Sequence, residues 1–172
     1  RQHRESEAQV YFSDHAHDWD ELRRLHSSDE AVEAALGKAL GTRSLGRLLD
    51  IGTGTGRMAE LFAERAERIV ALDKSLAMLR VARAKLQHLP TERVELVQGD
   101  FASLSFAAES FDTVELRDRH AHARLGFEDG QMASLLDEAG FEPAAPMALE
   151  DGELVVKIWI AQRRAANRKA AS

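Results

Sequence analysis

The stretch GRLLDIGTGTGRMAEL, residues 46–61, decides the fold of this chain. An apolar strand pattern ends at Asp50, three glycines follow at alternate positions, and a helical pattern begins immediately after them. The glycines are Gly52, Gly54 and Gly56. Glycine accepts positive φ angles and lets a ligand approach the backbone without meeting a Cβ atom. A strand, a glycine-rich turn and a helix in this order predict the ligand-binding turn of an α/β domain.

Strand and helix patterns alternate on the C-terminal side of this turn. The predicted strands cover 47–51, 68–72 and 94–98 and a fourth begins at Phe111, while the predicted helices cover 57–66 and 75–87. Such alternation is typical of right-handed βαβ units. A hairpin with Asp151 and Gly152 at its turn is predicted near the C-terminus. We therefore predict an α/β fold: a Rossmann-like, doubly wound, mostly parallel sheet with an antiparallel C-terminal hairpin strand and an N-terminal helical arm.

The composition excludes several classes of function. The chain has 172 residues, a formal net charge of -6 and no cysteine. A negative chain offers no overall field that attracts a nucleic-acid backbone, and a chain without cysteine has no disulfides or thiolate metal sites. The His-x-His pairs at 15–17 and 120–122 lack a cysteine or a clear carboxylate partner, so we predict no metal site. No apolar run reaches the roughly 18 residues of a membrane span. We predict a cytoplasmic protein that does not bind a membrane.

Three successive predicted strands end in an aspartate. These residues are Asp50, Asp73 and Asp100, and Phe101 follows the last of them. Because the carboxyl ends of parallel strands meet at one edge of a sheet, the three carboxylates should line one crevice. Asp50 would repel a pyrophosphate, and the G-x-G-x-G spacing differs from the G-x-G-x-x-G of dinucleotide-binding turns, so a nicotinamide dinucleotide is disfavoured. A cationic ligand fits better, with Asp73 accepting both hydroxyls of a ribose and Asp100 with Phe101 suited to an adenine.

These segments resemble the class I S-adenosylmethionine-dependent methyltransferases. LLDIGTGTG is similar to the first motif of that family, IVALDKS to its second, VELVQGD to its third and FDTV to the start of its fourth. The resemblance implies that S-adenosylmethionine is the cofactor and S-adenosylhomocysteine the product. It also implies a methyl acceptor, which the sequence does not identify.

The resemblance further implies roles for individual residues. The predicted cofactor-binding set lies at the three strand ends and comprises Asp50, Gly52, Thr53, Gly54, Gly56, Asp73, Lys74, Met78, Asp100 and Phe101. The glycines would approach the methionine part of the cofactor, with Asp50 near its ammonium group. Asp73 would hold the ribose hydroxyls, and Asp100 with Phe101 would read the adenine edge. Met78 would pack beside the adenine, although its apolar helix neighbours favour plain core packing equally well.

A narrower resemblance concerns the biological context. YFSDHAHDWDELRRLH and RDRHAHARLGF are similar to the methyltransferase half of bacterial regulators that carry an ArsR-type winged-helix domain. This resemblance implies contact with DNA only through a domain not present in this chain, and a homodimer is left open. The competing hypothesis is a non-catalytic module that senses S-adenosylmethionine or S-adenosylhomocysteine and controls the attached DNA-binding domain.

Residues 1–28 are predicted to form a helical arm, and residues 29–172 form the methyltransferase domain. Within the arm, Tyr11, His15 and Trp19 are candidates for a lid over the cofactor or for contacts on the substrate side. The alternative is that the aromatic residues only hold the arm against the domain. The catalytic residues are left unassigned.

The sequence after Val114 departs from the family pattern. The rest of a fourth strand, a helix and an apolar fifth strand are expected, but ELRDRHAHARLGF follows at once and has the character of a helix. A parallel sheet without an interior strand would leave backbone groups unpaired. We therefore predict a missing segment near 114–115, visible as a break between consecutive residues. An unbroken chain would instead make the domain a shortened variant.

Overall fold

The structure, a computed structural model, describes residues 10, 14–18, 21, 29–100, 110–120, 129–151 and 154–164. Helices and strands alternate along most of the chain, as the sequence predicts. In chain order the elements are α1 (Asp29–Leu40), β1 (Gly46–Ile51), α2 (Arg57–Phe62), β2 (Ala66–Asp73), α3 (Leu76–Lys85), β3 (Val94–Gln98), β4 (Thr113–His120), α4 (Asp129–Glu138), β5 (Phe141–Pro143), β6 (Met147–Asp151) and β7 (Leu154–Arg163). None of these helices is both long and apolar enough to cross a membrane.

The strands form one mixed sheet. Its order is β3-β2-β1-β4-β7-β5, and β6 pairs with β7 beside β5. Strands β1 to β4 run parallel to one another, whereas β7 runs antiparallel to β4, β5 and β6. This arrangement confirms the predicted Rossmann-like α/β fold. The strand order reverses between β1 and β4, and crevices for ligands form at such reversals, outside the carboxyl ends of the strands.

Two apolar clusters of the core lie on opposite faces of the sheet, because successive side chains of a strand point to opposite faces. On one face, Leu48 and Ile69 pack with Leu36 of α1 and Phe62 of α2. On the other face, residues such as Trp159 pack with α4 in a cluster that includes Leu49, Val114, Met132 and Leu136. Helices therefore cover both faces, as a doubly wound sheet requires.

For β1, β2, β3 and α3 the predicted boundaries lie within two residues of the observed ones, whereas the end of α2 differs by more. The prediction extends α2 to Ala66, but Ala66 starts β2 because it pairs with Gly46 at the beginning of β1. At α3, Ser75 is the N-cap, and its side-chain oxygen accepts the Met78 backbone N–H at 3.3 Å. The C-terminal hairpin is confirmed by pairing of β6 with β7 up to Asp151 and Leu154, while its predicted turn residue Gly152 lies outside the described residues.

Near Val114, where the sequence predicts a break, strand β4 runs without interruption from Thr113 to His120. Residues Glu115–His120, predicted to be helical, belong to this strand. Eight consecutive residues of β4 pair with β7, which satisfies the backbone groups that an absent fifth strand would leave open. In the described part of the chain, no strand lies between β4 and β7. Among the described residues, β7 therefore occupies the place predicted for a parallel fifth strand.

Candidate functional site

The carboxyl end of β1 contains a buried acid. Asp50 has 0% of its surface exposed, and its position two residues after Leu48 directs it toward the face covered by α1 and α2. The hydroxyl of Thr53 donates to Asp50 Oδ2 at 2.7 Å. A buried carboxylate is costly without hydrogen bonds, so the glycine-rich turn supplies a donor to the acid that precedes it.

The glycine-rich turn is attached to the neighbouring strand through its backbone. The N–H groups of Gly52 and Thr53 both donate to the carbonyl oxygen of Leu72 in β2, at 2.8 and 2.9 Å. Gly52, Gly54 and Gly56 have φ angles of 75, 58 and 82 degrees, in the left-handed region that favours glycine. The turn can take this shape because the three positions lack a Cβ atom.

Gly56 has a packing role that the sequence did not reveal. A Cβ atom added there would lie 2.9 Å from Cδ1 of Leu86 and 3.2 Å from the Cβ of Ala82. Both neighbours belong to the C-terminal part of α3 or follow it directly. The absence of a side chain at Gly56 therefore lets α3 pack against the start of α2.

The first residue of α2 joins this helix to α1. The Arg57 guanidinium donates to Glu60 in the same helix at 3.1 Å and also to Glu33 of α1. Burial works against the charge of Arg57, but the bonds to Glu60 and Glu33 outweigh it and raise the pKa of the guanidinium. These bonds hold α1 beside the helix that starts at the glycine-rich turn.

Asp73, the last residue of β2, holds two backbone segments together. Its Oδ2 accepts the N–H of Gly54 at 2.8 Å, and its Oδ1 accepts the N–H of Ser75 at 2.8 Å. A carboxylate oxygen can accept more than one hydrogen bond, and hydroxyl groups are donors that carboxylates accept. The two amide bonds fix the orientation of the carboxylate at the strand end.

An ion pair connects the ends of β2 and β3. Lys74 Nζ lies 2.9 Å from Asp100 Oδ2. Two further bonds join the same segments: Gln98 Nε2 donates to the Lys74 carbonyl oxygen at 3.3 Å, and the Gly99 N–H donates to the Asp73 carbonyl oxygen at 3.0 Å. Asp73, Lys74 and Asp100 are therefore brought to one edge of the sheet.

Met78 contacts the N-terminal arm. Its side chain is 2% exposed and forms a cluster with Ala16, against which Ala77 and Val81 also pack. His15 lies in a turn next to Ala16, where its carbonyl oxygen accepts the Asp18 N–H at 3.1 Å. The other predicted residues of this region, which are Tyr11, Trp19 and Phe101, lie outside the described residues.

Glu115 is a residue near the site that the sequence analysis missed. It lies in β4 directly opposite Asp50 in the parallel register and is 1% exposed. The predicted break placed this residue outside the sheet. A strand continued past Val114 would have placed Glu115 on the same face of the sheet as Thr113, two residues earlier.

Among the described residues, no group of three or more histidine, aspartate or glutamate side chains could hold a metal ion. The His122 of the second His-x-His pair lies outside these residues. The edge instead combines acidic acceptors with backbone that lacks Cβ atoms. This combination suits a ligand that carries hydroxyl and amino donors together with positive charge.

Comparison with known families places this chain among methyltransferase domains. Residues 48–139, just over half of the chain, match a family described as a methyltransferase domain. The chain is 38% identical over 69 residues to a demethylmenaquinone methyltransferase of Thermobifida fusca, and these residues are 40% of this chain and 29% of that protein. It is 42% identical over 100 residues to a ubiquinone/menaquinone biosynthesis C-methyltransferase of Syntrophotalea carbinolica, covering 55% of this chain and 41% of that protein. The match thus spans less than half of the length of these relatives.

A solved structure with a similar fold is the 1,6-didemethyltoxoflavin-N1-methyltransferase of Burkholderia thailandensis, with bound 1,6-didemethyltoxoflavin and S-adenosylhomocysteine. The TM-score is 0.61 at 19% identity, and the alignment covers 95% of this chain and 90% of the other. At this identity the similarity concerns the fold. The overall arrangement of this chain is thus similar to that of the Burkholderia enzyme.

Proposed function

The chain belongs to the class I S-adenosylmethionine-dependent methyltransferases, and we propose that the acidic residues at its strand ends bind S-adenosylmethionine, so that the methyl group of this cofactor can be transferred to an acceptor. The residues of the proposed cofactor site are those at the ends of β1, β2 and β3. S-adenosylmethionine supplies a methyl group bonded to a positively charged sulfur. The protein contributes binding, orientation and exclusion of water, which are the main requirements of such a displacement.

The described residues fit the groups that the cofactor carries. We assign Asp50, at the end of β1, to the ammonium group of the cofactor. The backbone of the adjacent glycine-rich turn is assigned to the methionine part of the cofactor. Asp73 is held by two backbone amides at the strand end, and we assign it to the ribose hydroxyls. We assign Asp100 to the amino group of the base and Met78, an apolar residue of α3, to the adenine ring.

The bond from the Gly54 N–H to Asp73 is the observation that carries the proposal. It places the two motifs predicted to contact the cofactor within hydrogen-bond distance of each other. The same carboxylate that shapes the turn is thereby held at the strand end, where a ribose can reach it. A site with this geometry needs little reorganisation to bind a nucleoside.

Titration calorimetry of Asp73→Asn tests the proposal. We expect the Kd for S-adenosylmethionine to rise about 10- to 100-fold, because the amide cannot accept as many hydrogen bonds as the carboxylate. Asp137→Asn is the matched control, since Asp137 is an exposed residue of α4 that bonds to Arg164 instead. Thermal unfolding of both variants checks that each is folded during the titration. Equal affinity of folded Asp73→Asn and wild type would contradict the assignment of Asp73.

The second candidate function is sensing of the cofactor without methyl transfer. One observation favours it: β7 lies directly beside β4, so the strand and helix expected to border the acceptor side are replaced by an antiparallel strand. Formation of S-adenosylhomocysteine in the presence of a demethylated menaquinone would support transfer. This acceptor is the first to test because one relative is named a demethylmenaquinone methyltransferase. Tight binding of S-adenosylmethionine without turnover on this and other acceptors would support sensing.

The arm of residues 1–28 is proposed to act as a lid on the adenine side. Ala16 packs on Met78, so this part of the arm contacts the helix that starts at the proposed cofactor site. We expect amide exchange at residues 14–18 to slow several-fold when S-adenosylhomocysteine binds. Equal exchange with and without this ligand would leave the arm as a fixed part of the domain.

The regulatory context rests on sequence resemblance. We propose that the chain is part of a cytoplasmic ArsR-type regulator, in which DNA is bound by another domain and a homodimer forms. The resemblance of the arm and of residues 117–127 to such regulators supports this proposal. The test is the binding of promoter DNA by the full gene product, with and without S-adenosylmethionine.

A further inference from the structure

An ion pair between Lys74 and Asp100 joins the ends of β2 and β3. Lys74 follows the proposed ribose acceptor Asp73, and Asp100 follows β3 after Gly99. Both side chains are partly exposed, at 56% and 42%. The pair therefore lies at the surface of the edge where a nucleoside would enter.

The backbone of Lys74 is held from several sides. Its carbonyl oxygen accepts from Gln98 Nε2, while the residues before and after it, Asp73 and Ser75, are joined by the Oδ1 bond. Ser75 also caps α3. The lysine side chain thus extends from a fixed point and reaches the carboxylate on the next strand.

We propose that Lys74 is a positioning residue that orients the Asp100 carboxylate to accept the amino group of the nucleobase. This proposal rests on the proposed cofactor site and deepens it, because it names the residue that determines selection of a 6-amino purine over a 6-oxo purine. A carboxylate accepts hydrogen bonds from an amino group but repels a carbonyl oxygen. An ammonium group can donate to a carbonyl oxygen, so Lys74 preserves the selection only while it is engaged with Asp100.

The solvent exposure of the ion pair limits how much its removal can change the binding constant. Partly exposed ion pairs contribute about 0.2–1 kcal/mol, which corresponds to a change of up to about fivefold in a binding constant. Loss of the lysine removes the restraint on Asp100 without removing the acceptor itself. Lys74→Met should therefore reduce base selectivity and leave the fold unchanged.

The experiment measures the Kd values of S-adenosylhomocysteine and S-inosylhomocysteine, which differ in the 6-amino or 6-oxo group and in the proton that the 6-oxo base carries on N1. Wild type should prefer the amino compound, and Lys74→Met should lower this preference about three- to fivefold, mainly through weaker binding of the amino compound. Asp100→Asn should also lower it, and the double variant should lose no more than Asp100→Asn alone. Lys38→Met, which removes an exposed lysine from the last turn of α1, should retain the wild-type preference.

Two results would overturn the proposal. One is an unchanged preference in Lys74→Met, and the other is tighter binding of the amino compound, which would show that the lysine competes with the ligand for Asp100. Failure of the wild type to bind S-adenosylhomocysteine at all would overturn the proposed function itself. Because the wild type is measured first, the two kinds of failure are distinguishable.

Discussion

The two halves of the sheet differ in how far along the chain their contacts reach. In the first half, β1 pairs with β2 and β2 pairs with β3, and a single helix joins the strands of each pair. In the second half, β4 pairs with β7, so that Thr113 lies opposite Gln162. The first half presents the proposed cofactor residues, while the second half borders the side where an acceptor would lie.

This difference distinguishes the part of a methyltransferase-like domain that the local sequence pattern determines from the part that depends on pairing between distant strands. The glycine-rich turn, Asp73 and the ion pair of Lys74 with Asp100 all belong to the first half. Their hydrogen bonds are made between neighbouring strand ends, and they do not require a particular strand beside β4. The second half can therefore lose a parallel strand while the proposed cofactor edge stays assembled.

Besides the pairing of β1 with β4, the side chain of Asp112 connects the halves. Asp112 precedes β4, and its carboxylate accepts from the Arg47 backbone N–H at 2.8 Å and from the Arg47 guanidinium at 3.2 Å. The Asp112 backbone also bonds to Arg47 and to Arg163 of β7. The three strands β1, β4 and β7 thus meet at Asp112, at the edge of the sheet opposite the proposed site.

The largest effect is expected in the second half. Trp159→Ala should lower the free energy of unfolding by about 3–5 kcal/mol, because it empties a site in the core between the sheet and α4. Leu135→Ala, which truncates an exposed residue of α4, should cost less than about 1 kcal/mol. Urea denaturation measures both. A small cost for Trp159→Ala would indicate that β7 is a peripheral strand and would remove the basis of the comparison.

The next effect concerns the glycine-rich turn of the first half. Gly56→Ala should destabilise the protein by about 2–4 kcal/mol, because alanine meets both the positive φ and the close contact with Leu86. Gly37→Ala is the opposite case: Gly37 lies within α1, nothing lies within 4 Å of its added Cβ, and we expect a gain of about 0.5–1 kcal/mol. Thermal unfolding distinguishes them, and equal shifts for the two variants would contradict the proposed role of Gly56.

The smallest effect belongs to the connection between the halves. The hydrogen bond from the Arg47 side chain holds the pKa of the Asp112 carboxyl below its usual value, and the Arg47 backbone N–H adds to this shift. Because its pKa is lower in the folded state, the Asp112 carboxylate stabilises the protein at pH values above the unfolded pKa of about 3.9. This stabilisation is lost as the pH falls through the folded pKa. Because Asp112 is 39% exposed, the contribution is less than about 1 kcal/mol.

Asp112→Asn provides the measurement. The variant should unfold more easily than the wild type at pH 7, and the difference between the two should disappear in the acid range below about pH 4. Urea denaturation at a series of pH values follows this difference. A difference that is constant with pH would show that the Asp112 charge does not contribute.

Much of the first half was predictable because its signals are local. The short apolar runs in RLLDI and RIVALD predict buried strands, and the glycines between strand and helix predict the turn at 52–56. Strand β3 was predicted with its observed bounds of Val94–Gln98. The convergence of Asp50, Asp73 and Asp100 on one edge follows from parallel pairing alone.

Contacts within the proposed site were less accessible to prediction. The sequence assigned Asp73 to a ribose and did not indicate that both of its oxygens accept backbone amides. It included Lys74 in the site without a partner, whereas the structure pairs it with Asp100. Such contacts depend on distances between strand ends, which residue patterns do not contain.

The sequence by itself therefore determined the α/β class, the glycine-rich turn and the acidic strand ends, because steric freedom of glycine and strand periodicity act over a few residues. Only the tertiary structure decided that Glu115–His120 is a strand, that β7 lies beside β4, and that Glu115 is buried opposite Asp50. The charged segment ELRDRH has no apolar alternation, so its strand character comes from pairing with a distant partner. Backbone groups at the edge of β4 require hydrogen bonds whatever side chains they carry, and β7 supplies them.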